Sequence, residues 1–157
     1  MKVNIFPIVS GLHKEERIND ETRKLLSEIE TISDFTFTLA NKDILYDSEI
    51  SLILVQSGGS EGYFLEVEKD LKPPFYLLTY GSNNSLAASM EILSYLKSKN
   101  EQAEILHGAP SYIVSRLNEI SKKGIEVPTR LGVIGKPSDW LIASNVESRL
   151  MEEKFGI

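Results

Sequence analysis

Two histidines, His13 and His107, are the only imidazoles in 157 residues, and each falls where an apolar run gives way to a polar loop. Side by side at one sheet edge they would offer acid–base or metal chemistry near neutral pH. A catalytic metal needs about three protein ligands with a supporting shell. The carboxylates closest in sequence, Glu15, Glu16 and Asp139, follow no established ligand spacing, so the pair reads as polar loop histidines. Cysteine is absent, which removes thiolate metal sites and disulfides and agrees with a reducing compartment. No GxSxG elbow occurs, and no serine pairs convincingly with a histidine and a carboxylate, so covalent catalysis has no support.

Three further stretches place polar groups at loop-to-helix corners. "SGGSEG", residues 57–62, offers successive glycine amides to an anion, yet it lacks the lysine of a phosphate loop and does not fit GxGxxG. Glu61 suits the start of a helix and repels a phosphate, so a turn opening a helix is the favoured reading. "YGSNNS" places Asn83, Asn84 and Ser85 ahead of an apolar stripe, where at least one is expected to cap the helix. Amides left over from capping face the same edge and suit a hydroxyl-rich ligand. "GKPSDW" sets Ser138 as a cap, followed by Asp139 and the sole tryptophan, Trp140. That indole either staples the last helix to the sheet or offers a flat wall to a ligand or partner subunit.

The elements that must carry these loops alternate along the chain. Strands are expected at 3–9, 34–39, 51–55, 75–79, 103–106 and 130–134, rich in β-branched and aromatic residues. Helical spacing links Ile18, Thr22, Leu25 and Ile29; then Leu86, Met90, Leu93 and Leu96; then Ile113, Leu117 and Ile120; and last Ile142, Val146 and Leu150. "NKDILYDSE", residues 41–49, reads as a loop. Strand and helix in alternation give an α/β fold: a three-layer α/β/α sandwich of flavodoxin-like type, with a mostly parallel sheet of five to six strands. Ligands of such folds bind beyond the carboxyl ends of the strands, where all the loops above lie. Two relatives in architecture are excluded by their missing residues. A receiver domain needs acids where this chain has "PIVSG" and "LVQSGG", and a flavodoxin needs a Ser/Thr-rich phosphate loop where it has "SGLHKEE".

Length and charge narrow the partners. The chain suits a single domain spanning residues 1–157, with 41% hydrophobic and 25% charged residues. Seventeen basic against twenty-three acidic side chains give a formal charge of -6 without a basic stripe, which disfavours nucleic acid and anionic membranes. The opening "MKVNIFPIVS" is too short for a signal core or a membrane span and reads as a first strand.

Taken in order, "FPIVSG", "ILVQSGGSEGYF", "PPFYLLTYGSNNSLAASMEILSYL", "ILHG" and "RLGVIGKPSDWLIAS" resemble the N-terminal domain of the L-fucose/L-arabinose isomerase family, in its uncharacterised sugar isomerase branch. The likeness runs nearly end to end and is most specific at "GKPSDWLIAS". It implies a metal-dependent aldose–ketose isomerase, an intramolecular oxidoreductase, of which this chain is the substrate-proximal and oligomerisation domain, inactive in isolation. The implied Mn²⁺, or a similar divalent ion, is held by Glu, Asp and His beyond this domain, and the chain itself carries no cofactor or metal ligand. The terminal "EEKFGI" reads as the entry to a further strand of a longer, multidomain protein. Implied partners are a small sugar, the other domains of the protein, and further subunits of a cytoplasmic homo-oligomer. Carried over by position, the substrate-proximal residues are Gly11, Leu12 and His13 in the first loop, Asn83 and Asn84 in the fourth, and Ser138, Asp139 and Trp140 in the last. The first loop reads "GLHKEE" here, unlike that of either named isomerase. A non-enzymatic small-molecule binding or regulatory module of the same fold is the second reading.

Overall fold

A computed structural model describes residues 1–11 and 15–122, together with Arg149. Met1–Lys122 form one compact unit. Within it β1 (Lys2–Ile8), β2 (Thr36–Leu39), β3 (Ile50–Val55), β4 (Phe75–Leu78) and β5 (Ala103–Leu106) alternate with α1 (Glu15–Thr31), α2 (Glu61–Val67), α3 (Ser85–Ser98) and α4 (Pro110–Lys122). A 3-10 turn, Glu68–Asp70, extends α2. All five strand positions expected from composition are occupied, the ends shifting by one or two residues. The sixth expected strand, at 130–134, and the last helix, with Ile142, Val146 and Leu150, lie outside the described residues.

Among the described residues every strand pairing is parallel, and the sheet order is β2-β1-β3-β4-β5. The period-2 alternation of a strand explains why both faces are apolar. Val3, Ile5, Leu52, Leu54, Tyr76 and Leu78 join a core with Leu25 and Ile29 of α1 and Ile113 and Leu117 of α4. Phe6, Ile8, Ile53, Val55, Phe75 and Leu77 join the opposite core with Phe64 and Val67 of α2 and Ala88, Ile92 and Leu96 of α3. The result is the three-layer α/β sandwich that the alternation of elements required.

Helix faces follow the sequence pattern in two cases and break it in one. In α1 the stripe of Ile18, Thr22, Leu25 and Ile29 is buried, as are Ile113 and Leu117 in α4. In α3 the expected stripe holds at Leu96, which is buried, and in part at Leu93, which packs on the core, but fails at Met90, which is 57% exposed; the buried positions are Ser85, Ala88, Ser89, Ile92 and Leu96. Small residues bring this helix close to the sheet, and the Ser89 hydroxyl donates back to the Ser85 carbonyl at 2.8 Å, which makes a buried serine tolerable. The helix ends on Asn100, in the left-handed region at φ 61°, with the amides of Asn100 and Glu101 donating to the Lys97 and Leu96 carbonyls.

Among the described residues β2 is an edge strand. The Thr36 amide donates to Met1, just before β1, and the amide of Ala40, just past β2, donates to Ile5 of β1, so the Phe37 amide faces outward, where the Glu30 carboxylate of α1 accepts it at 3.0 Å. Residues 41–49 form a succession of turns, as expected of a loop. Asn41 Oδ1 accepts from the amides of Asp43 and Ile44 there, while Leu45 points into the core.

Candidate functional site

Strand order reverses direction between β1 and β3, one leading outward to β2 and the other to β4 and β5, and the crevice at that point is where doubly wound folds place ligands. Four polar ends converge near it. The Gln56 amide donates to the Ile8 carbonyl at 3.0 Å, and the Ser10 amide donates to Ser57 Oγ at 2.9 Å, tying the loop after β1 to the loop after β3. Gln56 Nε2 donates to Thr22 Oγ1 of α1 at 2.8 Å, and Tyr80 Oη donates to the Gln56 carbonyl at 2.8 Å. The loop after β4 is bound to the loop after β3 by the Gly58 amide, which donates to the Asn83 carbonyl at 2.7 Å.

Asn83 and Asn84 have φ of 53° and 57°, two consecutive non-glycine residues in the left-handed region. Such a pair costs strain that the surroundings must offset, and asparagine is the residue that tolerates it best. Glu21 of α1 supplies much of the offset. One of its carboxylate oxygens accepts from Ser82 Oγ at 2.8 Å and from Asn83 Nδ2 at 2.6 Å. Asn84 occupies the expected cap position of α3, but it makes no side-chain capping bond. The backbone turn, not a capping amide, is what these two asparagines serve. Ser85, the third candidate, is fully buried; its hydroxyl accepts from Thr79 Oγ1 at 2.7 Å and from the Gly81 amide at 3.1 Å.

"SGGSEG" adopts a turn and lacks an open anion cradle. Ser57 and Ser60 are fully buried, the Ser60 hydroxyl donates to the Ser57 carbonyl at 2.7 Å, and the Gly58 amide is already taken by Asn83. Two close approaches explain its glycines. A Cβ on Gly58 would lie 2.9 Å from the Asn84 Cβ, and Gly59, at φ +79°, faces the Ser10 hydroxyl.

His107 is held in place by the β4 end. Its Nδ1–H donates to the Thr79 carbonyl at 3.1 Å, a bond that leaves Nε2 as the acceptor nitrogen of the neutral ring. Gly81, at φ +85°, packs against the ring edge, 2.7 Å from a Cβ built there to His107 Cε1. His13, the second imidazole, and Leu12 lie outside the described residues, as do Ser138, Asp139 and Trp140. Gly11 is an exposed turn residue at the end of the loop after β1, with open space around its α-carbon.

Beside this network a cavity of about 340 Å³ opens between α1, the loop after β4 and the start of α4, lined by Glu21, Lys24, Tyr80, Ser82, Gly108 and Pro110 among others. That is the size of a small-molecule site, and its polar groups are two hydroxyls, the carboxylates of Glu21 and Glu28, and an ammonium. Burial and the Glu21 charge push the Tyr80 hydroxyl up to about 12, so it remains a protonated donor over the whole physiological range. A wider groove of about 740 Å³ follows α1 along β2, with Leu26, Phe37 and Leu39 in its walls. It lies along the sheet edge rather than at the strand ends, and its walls lack the convergent hydrogen-bonding loops of the crevice.

Among the described residues no three His, Asp or Glu side chains converge to hold a metal ion, and none of the helices is long and apolar enough to cross a membrane. The crevice can bind and orient through hydrogen bonds. Glu21, Thr22, Gln56 and Tyr80 are the members that the sequence reading missed. Thr22 as the one hydroxyl in an apolar helical stripe, and Gln56 directly after an apolar strand, were the available signals. No family model, no curated protein and no solved structure matches this chain.

Proposed function

We propose that the chain is the N-terminal, substrate-proximal and oligomerisation domain of a metal-dependent aldose–ketose isomerase of the L-fucose/L-arabinose kind, with the metal and its ligands held elsewhere in that protein. The observation that carries the reading is the Asn83–Asn84 turn, fixed in left-handed geometry by Glu21 and Gly58 beside a polar cavity of about 340 Å³ at the strand ends. A rigid rim of hydroxyl, amide and carboxylate groups is the chemistry that sugar hydroxyls match. The order of the sequence motifs supports the same reading, and with it a cytoplasmic homo-oligomer in which these loops help to close a neighbouring subunit's pocket.

Isotope-labelled protein titrated with L-fucose and L-arabinose should show saturable amide shifts at Gly58 and at Gly81 to Asn84, and the same protein with Mn²⁺ should leave both sugars unisomerised. Shifts confined to other surfaces, or turnover by this chain alone, would overturn the proposal. A non-enzymatic small-molecule binding module is the second reading. It is favoured by the engagement of His107 with the Thr79 carbonyl, of the Ser57 hydroxyl with the Ser10 amide, and of the Ser60 hydroxyl with the Ser57 carbonyl, which leaves no nucleophile and base paired among them.

A further inference from the structure

The groove of about 740 Å³ between α1 and β2 has Arg23, Leu26, Ser27, Glu30, Phe37 and Leu39 among its walls. Leu26 and Phe37 pack on the core with part of their surface outside it, and Leu39 is 57% exposed, so the middle of the groove is apolar. Arg23, Leu26, Ser27 and Glu30 follow the i, i+3, i+4, i+7 spacing of one helical face.

The two ends of that stripe carry opposite charges with hydrogen-bonding capacity to spare. Glu30 Oε1 accepts from the Phe37 amide at 3.0 Å, which anchors the carboxylate at the groove wall, and Oε2 accepts nothing among the described residues. Arg23 donates from Nη2 to Asp20 at 2.7 Å and from Nε to the Asn19 carbonyl at 3.4 Å, while Nη1 meets no acceptor among the described residues. The pair with Asp20 is a surface one, its side chains 75% and 66% exposed, and it contributes little.

The order of these residues indicates what covers the groove. An added strand is disfavoured, because Glu30 occupies the outward Phe37 amide. A two-fold contact requires each surface to carry both halves of every pair, so that residue i meets j and j meets i. The α1 stripe meets that requirement. Laid antiparallel on its own copy, it sets Leu26 against Ser27, a large side chain against a small one, and Arg23 against Glu30, and each pair occurs twice.

We infer that two copies of this chain associate through α1 and the outer side of β2, Arg23 of each pairing with Glu30 of the other around an apolar centre of Leu26, Phe37 and Leu39. Glu30 Oε2 accepts from the incoming guanidinium while Oε1 keeps the Phe37 amide, so association breaks no bond of that edge. A formal charge of -6 makes two copies repel in most orientations, and a patch that brings opposite charges together selects this one. The inference does not rest on the isomerase reading: a chain that binds no sugar would still pair, and one that binds sugar as a monomer would refute the pairing alone.

Sedimentation equilibrium of the full chain should show monomer and dimer in exchange. Arg23→Glu and Glu30→Arg each set like charges against one another twice, and each variant, its fold checked by circular dichroism, should dimerise at least about tenfold more weakly. Mixing the two variants restores both opposite-charge pairs, so the mixture should form a heterodimer of near wild-type affinity. Leu39→Ser, on β2 rather than on α1, should weaken the dimer independently. A chain that stays monomeric up to about 1 mM, a dimer that these variants leave unchanged, or a mixture that does not re-associate would each overturn the inference.

Discussion

Gly81 concentrates two constraints in one residue. Its φ of +85° disfavours any side chain, and a Cβ there would sit 2.7 Å from His107 Cε1. Gly81→Ala should therefore lower stability by about 2 kcal/mol or more in urea unfolding. Adding His107→Ala removes the collision and leaves the backbone strain, so the double variant should be less damaged than the sum of the singles, by roughly 0.5–3 kcal/mol. Additive losses would mean that the two groups do not meet. Tyr80 gives a pH-dependent counterpart. An unfolded tyrosine titrates near 10 and the folded one at about 12, so the native state holds the proton longer. Its contribution is complete below about pH 10 and is lost as the pH rises from about 10 through 12. Tyr80→Phe should flatten that part of the stability profile, and an unchanged slope would remove Tyr80 as its source. At this scale Asn83 and Asn84 were legible as the residues of a loop-to-helix corner. Their purpose was not, because side-chain capping and a left-handed turn select the same amino acid.

Elements are joined to one another by paired polar groups as well as by the two cores. α1 is pinned to the end of β3 by the Gln56–Thr22 bond, both partners being buried. Thr22→Val alone leaves the Gln56 amide without its acceptor and should cost about 1–3 kcal/mol. Thr22→Val combined with Gln56→Leu removes the need on both sides and should recover most of that loss. Chemical unfolding of the three variants tests this, and a double variant worse than the sum would contradict it. The strands and three helices were readable because buried parallel strands are apolar throughout and amphipathic helices repeat at a fixed spacing. The face of α3 was read correctly at Leu96 and misread at Met90, for a definite reason. Hydropathy favours Met90 over Ser85 and Ser89, but small side chains that satisfy their hydroxyls locally let the helix sit closer to the sheet than leucine or methionine would.

Across the whole molecule, hydropathy alone placed the loops on one edge but could not say which of them touch. That information lies in the strand order, which brings residues as far apart as Glu21 and Asn83 within hydrogen-bond distance and lets the Gly58 turn meet the loop after β4. No local pattern encodes such a meeting, so Glu21 passed as one more solvated charge on a helix. Among the described residues the same topology leaves β2 with no strand beyond it, and Leu39 there is 57% exposed. Edge strands of this kind are where one chain can recruit another into intermolecular sheet, the first step toward insoluble aggregates. An incoming strand would have to displace the Glu30 carboxylate from the outward Phe37 amide and meet a negative charge as it did so. A single acid on a neighbouring helix thus acts as a gatekeeper of solubility, stationed where a longer sheet would otherwise begin.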